Sequence, residues 1–204
     1  MAILVAGCTH WIGFHIVNEL LEEGYMVDGI PDHGGNENLS LFFGRNSSFS
    51  TVGIETAKEY ETAIIINDVQ NSDSILANKI VKIGGEQEKN EKITYIEISL
   101  LYGEWMDMNE KGMYRGKEFI QFDSNFFKED AIYIKDFTKA LLQWVRSDKL
   151  PDQLNVVSAN NRMKKGVKLE NSIYLRDNGP KKEILNSVLT HFEKFKEMYR
   201  KYQV

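Results

Sequence analysis

The chain has 204 residues, 42% of them hydrophobic and 27% charged, with a formal net charge of −5 at pH 7. That length buries the core of one domain, or of one domain with a small appendage. The acidic balance, relieved only by a short cluster at Lys164, Lys165 and Lys168, speaks against nucleic acid as a partner, and the single cysteine, Cys8, excludes an intrachain disulfide framework and suits a reducing cytoplasm.

In chain order, residues 2–7 are continuously apolar, as a central parallel strand covered on both faces would be. The run meets a glycine turn directly and has no basic residues before it, so it reads as a strand, not a signal peptide. No stretch is long and apolar enough to span a bilayer. Ile12, Ile16, Val17, Leu20 and Leu21 then keep helical spacing over 12–23, Gly24 stands where a helix C-cap would, and 25–30 starts a second strand. Together these make one right-handed βαβ unit.

Residues 31–38 form a polar, glycine-rich loop, and a short helical piece is expected at 39–43. Strands are predicted at 49–54 and 62–67. The spacing of Ile75, Leu76, Lys79, Ile80 and Ile83 predicts a helix over 72–83, ended by Gly84 and Gly85. A strand is expected at 93–101. The stretch 103–130 reads as a loop excursion or a small substrate-facing lobe, with 119–122 as a short strand in it. A strand at 131–134, a helix over 137–145, a short strand at 154–157 and a terminal helix over 181–202 complete the pattern.

The most telling stretch is Gly7-Cys8-Thr9-His10-Trp11-Ile12-Gly13, set between a buried strand and a helix start. That arrangement lays a dinucleotide pyrophosphate on a helix N-terminus. His10 stands where the pattern has its middle glycine, the residue that lets bare backbone approach the phosphates. The imidazole has two readings. It tolerates φ > 0 better than most side chains and, protonated, would pair with a phosphate; alternatively it plugs the site, the reading preferred here. Cofactor contacts are therefore expected from Gly7, Thr9, His10, Trp11, Ile12 and Gly13. Asp32 is the candidate for an adenosine ribose hydroxyl, against an ordinary loop aspartate after Pro31. The histidines show no metal-ligand spacing, and no metal is expected.

With these pieces placed, the chain resembles the extended short-chain dehydrogenase/reductases of the NAD-dependent epimerase/dehydratase type, which act mostly on nucleotide sugars. Four stretches carry the resemblance in family order: Ile3 to His15 with Glu22 to Val27; Ile93-Thr94-Tyr95-Ile96 to Tyr102-Gly103; Ala131 to Asp136 with Ala140-Leu141-Leu142; and Leu154-Asn155-Val156-Val157-Ser158. The resemblance implies an α/β, Rossmann-like, mostly parallel sheet with helices on both faces. It would be reduced relative to the family: a domain over 1–158 with the excursion at 103–130, and a C-terminal extension over 159–204. The cofactor implied is NAD or NADP.

The departures are as informative. In the family a tyrosine and a lysine four residues apart share one helix face, and the lysine lowers the tyrosine's pKa. None of the nine tyrosines here has a lysine four residues later. If the helix predicted over 72–83 corresponds to the family's catalytic helix, Gln70 and Ser74 occupy the dyad positions, and the preceding helix and fifth strand are deleted. Glu97 and Leu100 replace the arginine and asparagine usual before the Tyr-Gly.

The leading expectation is a cytoplasmic pseudoenzyme, a nucleotide- or nucleotide-sugar-binding or accessory protein, with a homodimer through 72–83 or 181–202 open to it. One alternative is an active NAD(P)-dependent epimerase, dehydratase or reductase using Tyr102, Tyr133 and Glu97 as acid/base groups. The other is a structural dimerisation partner that binds no small molecule.

Overall fold

The continuous apolar run at the start forms β1 (Ala2–Ala6), with Leu4, Val5 and Ala6 all buried. The coordinates are a computed structural model describing residues 2–55, 58–67, 69–85, 92–147, 149–161 and 171–199. The chain divides into two compact units: Met1–Glu97 with Thr138–Leu154, and Ile98–Phe137 with Asn155–Val204.

In the first unit β1 leads through the glycine turn to α1 (Trp11–Glu22) and β2 (Met26–Ile30). Gly24 ends the helix at φ +81°, its N–H bonded to Leu21 O and the N–H of Tyr25 bonded to Leu20 O. This is a glycine C-cap of Schellman type, which returns two orphan carbonyls to the ladder. A single 3-10 turn and the short α2 (Ser40–Phe43) lead to β3 (Phe49–Thr51); then come β4 (Tyr60–Ile66), β5 (Ala77–Ile83) and β6 (Ile93–Ile98). The strands lie in the order β3-β2-β1-β4-β5-β6, every neighbouring pair parallel. That is the order of a dinucleotide-type doubly wound sheet.

Register fixes what each face holds. Ile64 of β4 meets Ile16 and Leu20 of α1 and Leu141, Leu142 and Val145 from α4 (Ile134–Arg146). The alternate residues Leu4, Ala6, Ile30, Ala63 and Ile65 pack instead with Ile75, Val52, Ile54 and Val69, all from connecting segments. In this unit α1 and α4 thus cover the Ile64 face, and side chains from connecting segments pack on the Leu4 face.

The helix expected over 72–83 is not there. Residues 72–74 make one 3-10 turn, and Ala77–Ile83 is a strand paired with both β4 and β6. Ile75, Ile80 and Ile83 fit a 3.6-residue period, but the β-branched Ile80, Val81 and Ile83 serve equally in a half-covered strand, and pairing on both sides settles the choice. Lys79, expected on a helix face, sends its ammonium to the carbonyls of Trp144 and Val145 at the end of α4. A cation suits a helix C-terminus. Two further expectations fall with that helix. A homodimer through a helix at 72–83 loses its premise, and the fifth strand is present as β5 instead of deleted. What is short are the connections, residues 67–76 and 84–92, neither of which has an α-helix among its described residues.

In the second unit, β7 (Leu100–Tyr102) pairs in parallel with β11 (Ala131–Tyr133), so the strand expected at 93–101 is broken at Ser99 into two. The excursion at 103–130 is more ordered than expected. It holds the antiparallel β8 (Met108–Asn109), β9 (Gly112–Arg115) and β10 (Glu118–Gln121), then α3 (Asn125–Asp130). β12 (Gln153–Ser158) pairs in parallel with β13 (Ser172–Leu175). The terminal helix α5 (Lys181–Phe195) passes into a 3-10 turn at Lys196–Met198, so it is shorter than the span 181–202; Tyr202 and the Lys164, Lys165, Lys168 cluster lie outside the described residues. Among the described residues no helix is long and apolar enough to cross a membrane, and no metal-ligating cluster is found.

Candidate functional site

The glycine turn after β1 has its fold requirements intact. Gly7 sits at φ +88°, and a Cβ added at Gly13 would lie 2.1 Å from Gly7 O. The first position needs the left-handed backbone and the second lets α1 approach the strand, two of the three jobs glycines perform in a dinucleotide turn. His10 fills the third position without strain, at φ −70° and ψ 142°, so its tolerance of positive φ is not used. It is the N-cap of α1. Its Nδ1 accepts from the N–H of Ile12 at 3.3 Å, and its Nε2 lies 3.3 Å from the side-chain amide of Asn67. An imidazole nitrogen that accepts from a helix N–H takes a donor that a bound anion would otherwise use.

The segment after β2 folds onto the same turn. Thr9 Oγ1 accepts from the N–H of Asp32 at 2.8 Å, and Thr9 O accepts from the N–H of Asn36 at 2.9 Å. Gly35 passes so close that a Cβ there would sit 2.5 Å from Thr9 Oγ1. Gly7, Cys8 and Thr9 are all buried as a result, while His10, Trp11 and Ile12 are half-buried. Asp32 joins this contact through its backbone. Cys8 packs between Gly29 and the core, and burial pushes its thiol up to about 12, a structural thiol and not a reactive one.

The other candidates sit elsewhere. Gln70 and Ser74 are both exposed, in a turn and a 3-10 turn, with the Ser74 hydroxyl donating to Asn71 O; no helix puts them on one face. Glu97 is an exposed residue near the end of β6.

In the second unit Tyr102 and Tyr133 are neighbours on paired strands, with ring centroids 5.6 Å apart. Burial pushes the fully buried Tyr102 phenol up, and the surrounding acids Asp177, Asp136 and Glu104 add to it. Tyr133 is pushed up to about 12, by burial and then by Glu104, whose carboxylate accepts its hydroxyl at 2.9 Å. Lys135 reaches the same carboxylate at 2.9 Å. Burial works to lower Lys135, but Glu104 outweighs it and the net shift is upward. Lys135 also pulls the Tyr133 phenol down, but burial and Glu104 outweigh it, and the net shift is the opposite of what a general-base tyrosine needs.

Two functional candidates escaped the sequence reading. Asn67, at φ +55° just after β4, has no motif around it; its position at the C-terminal end of a central strand is the one available signal. Glu104 follows Tyr102-Gly103 directly and was legible only as part of that loop. The loop's apolar side chains Trp105, Met106, Met108 and Met113 are buried core residues.

No family model and no curated protein matches the chain. Solved structures do. The dTDP-glucose 4,6-dehydratase of Bacillus anthracis, in complex with NAD, is 12% identical with a TM-score of 0.60, covering 98% of each chain. The UDP-glucose 4-epimerase of Thermotoga maritima, with UDP-glucose, is 15% identical with a TM-score of 0.59, covering 95% of this chain and 99% of its own. The yeast methylglyoxal/isovaleraldehyde reductase complexed with NADPH is 15% identical with a TM-score of 0.60, covering 97% of this chain and 100% of its own. Likeness at this identity speaks for architecture, and the strand order agrees with it: the chain has the Rossmann-type fold shared by these epimerase, dehydratase and reductase enzymes.

Proposed function

We propose that this protein performs no hydride chemistry and acts as a nucleotide- or nucleotide-sugar-binding or accessory protein on an epimerase/dehydratase fold. The observation that carries the reading is the connection between β5 and β6. It is only the nine residues 84–92 long, the helix expected over 72–83 to carry the dyad positions is strand β5 instead, and the chain contains no Tyr-x-x-x-Lys. The raised Tyr102 and Tyr133 phenols argue against a substitute base.

Thermal unfolding with NAD, NADP and nucleotide sugars tests the binding half of this reading. A ligand present at about 100 times its dissociation constant adds roughly 2.7 kcal/mol of stability, which melting detects readily. A nucleotide sugar is expected to raise the melting temperature while its sugar emerges unchanged. No shift with any of these ligands at millimolar concentration would remove the nucleotide and leave only the accessory role.

A further inference from the structure

In a dinucleotide turn the first helix N–H groups face the pyrophosphate. Here the N–H of Ile12 already has an acceptor, His10 Nδ1. The ring is held from its other end as well, with Nε2 3.3 Å from the Asn67 amide. The Asn67 atom placed at Nε2 is the amide nitrogen; an Nδ1 that accepts puts the ring proton on Nε2, so a hydrogen bond there requires the amide turned to present its oxygen. Asn67 reaches this place from a left-handed backbone at φ +55°, a conformation that side chains other than glycine adopt at a cost. Two residues thus meet at the turn: Asn67 from the end of β4, in a left-handed backbone, and His10, whose imidazole caps α1.

We propose that His10, held by Asn67, is a latch occupying the phosphate position of the turn, and that it excludes a dinucleotide from a turn whose Gly7 and Gly13 are in place. The inference rests on reading the turn as a dinucleotide turn. It goes further in naming the excluded ligand class and the residue that excludes it.

The test is the affinity of the full chain for NADH, followed by quenching of tryptophan fluorescence, in the wild type and in His10→Gly. A dissociation constant at least tenfold tighter in His10→Gly is expected. His10→Ser keeps a strong N-cap without the ring; it serves if the glycine variant folds poorly, and should gain similarly. Asn67→Ala releases the ring without removing it and should gain less. Equal affinity in wild type and both His10 variants, whether all bind or none does, overturns the latch. Ring-nitrogen NMR of the wild type should find the proton on Nε2, and a proton on Nδ1 would contradict the cap. A failure of nucleotide sugars to bind the wild type removes the functional reading but leaves the NADH comparison standing.

Discussion

Between β1 and β2 the chain makes a full crossover on α1, whereas from β4 to β5 and on to β6 it crosses in the ten residues 67–76 and the nine residues 84–92. A parallel crossover ordinarily takes a dozen or more residues, usually through a helix. The first region keeps its helix because the glycine turn, the Gly24 cap and the apolar stripe of Phe14, Ile16, Val17 and Leu20 all specify it together. The second keeps its strands, because β4 and β5 pair along their length, and closes the exposed sheet face with side chains such as Ile75 and Val69. Parallel strands such as β4 and β5 therefore stay paired across a connection with no α-helix among its described residues when apolar side chains cover the sheet face.

The sharpest way to break this comparison is to remove the substitute cover. Ile75→Ala deletes a buried side chain from the connection and should cost about 2–5 kcal/mol, read by urea unfolding. A near-zero cost would mean the segment does not close the sheet.

Gly13→Ala places a methyl 2.1 Å from Gly7 O in the region that kept its helix, and should destabilise by about 1–3 kcal/mol. A tolerated alanine would show that the turn is looser than a close strand-to-helix contact requires.

Tyr60, at the start of β4, donates to the buried Asp28 of β2 at 2.9 Å and so ties the two regions together. Tyr60→Phe should cost about 1 kcal/mol at neutral pH. Burial, and then the Asp28 hydrogen bond, pushes the phenol up to about 12. A phenol raised above its unfolded value near 10 gives its full stabilisation below about pH 10 and loses it as the pH rises to about 12. Unfolding measured across that window should fall in the wild type and fall less in Tyr60→Phe.

The smallest effect is expected at Gln70 and Ser74, both exposed. Alanine at each should change stability by less than about 0.5 kcal/mol and leave ligand binding unmoved.

Much of the fold was legible because local signals agreed with the tertiary outcome. The apolar run before Gly7, the helical spacing to Leu20 and the glycine after it each name one structure, and all three are found. The stretch 72–83 misled because Ile75, Ile80 and Ile83 satisfy two periods at once, and only pairing with β4 and β6 decides between them. The short strand expected at 119–122 is found as β10, but its hairpin partners β8 and β9 escaped notice because they are two and four residues long, too short for alternation to register. At the candidate site, His10 was visible as a departure from a glycine pattern. Its acceptor role and its partner Asn67, 57 residues away, depend on long-range placement that no local pattern encodes.

The central claim, a Rossmann-type chain without hydride chemistry, is tested most directly by nicotinamide absorbance on mixing the protein with NAD or NADP and nucleotide-sugar substrates. The account predicts no change in absorbance and no altered sugar. Sustained turnover by the wild type would contradict it.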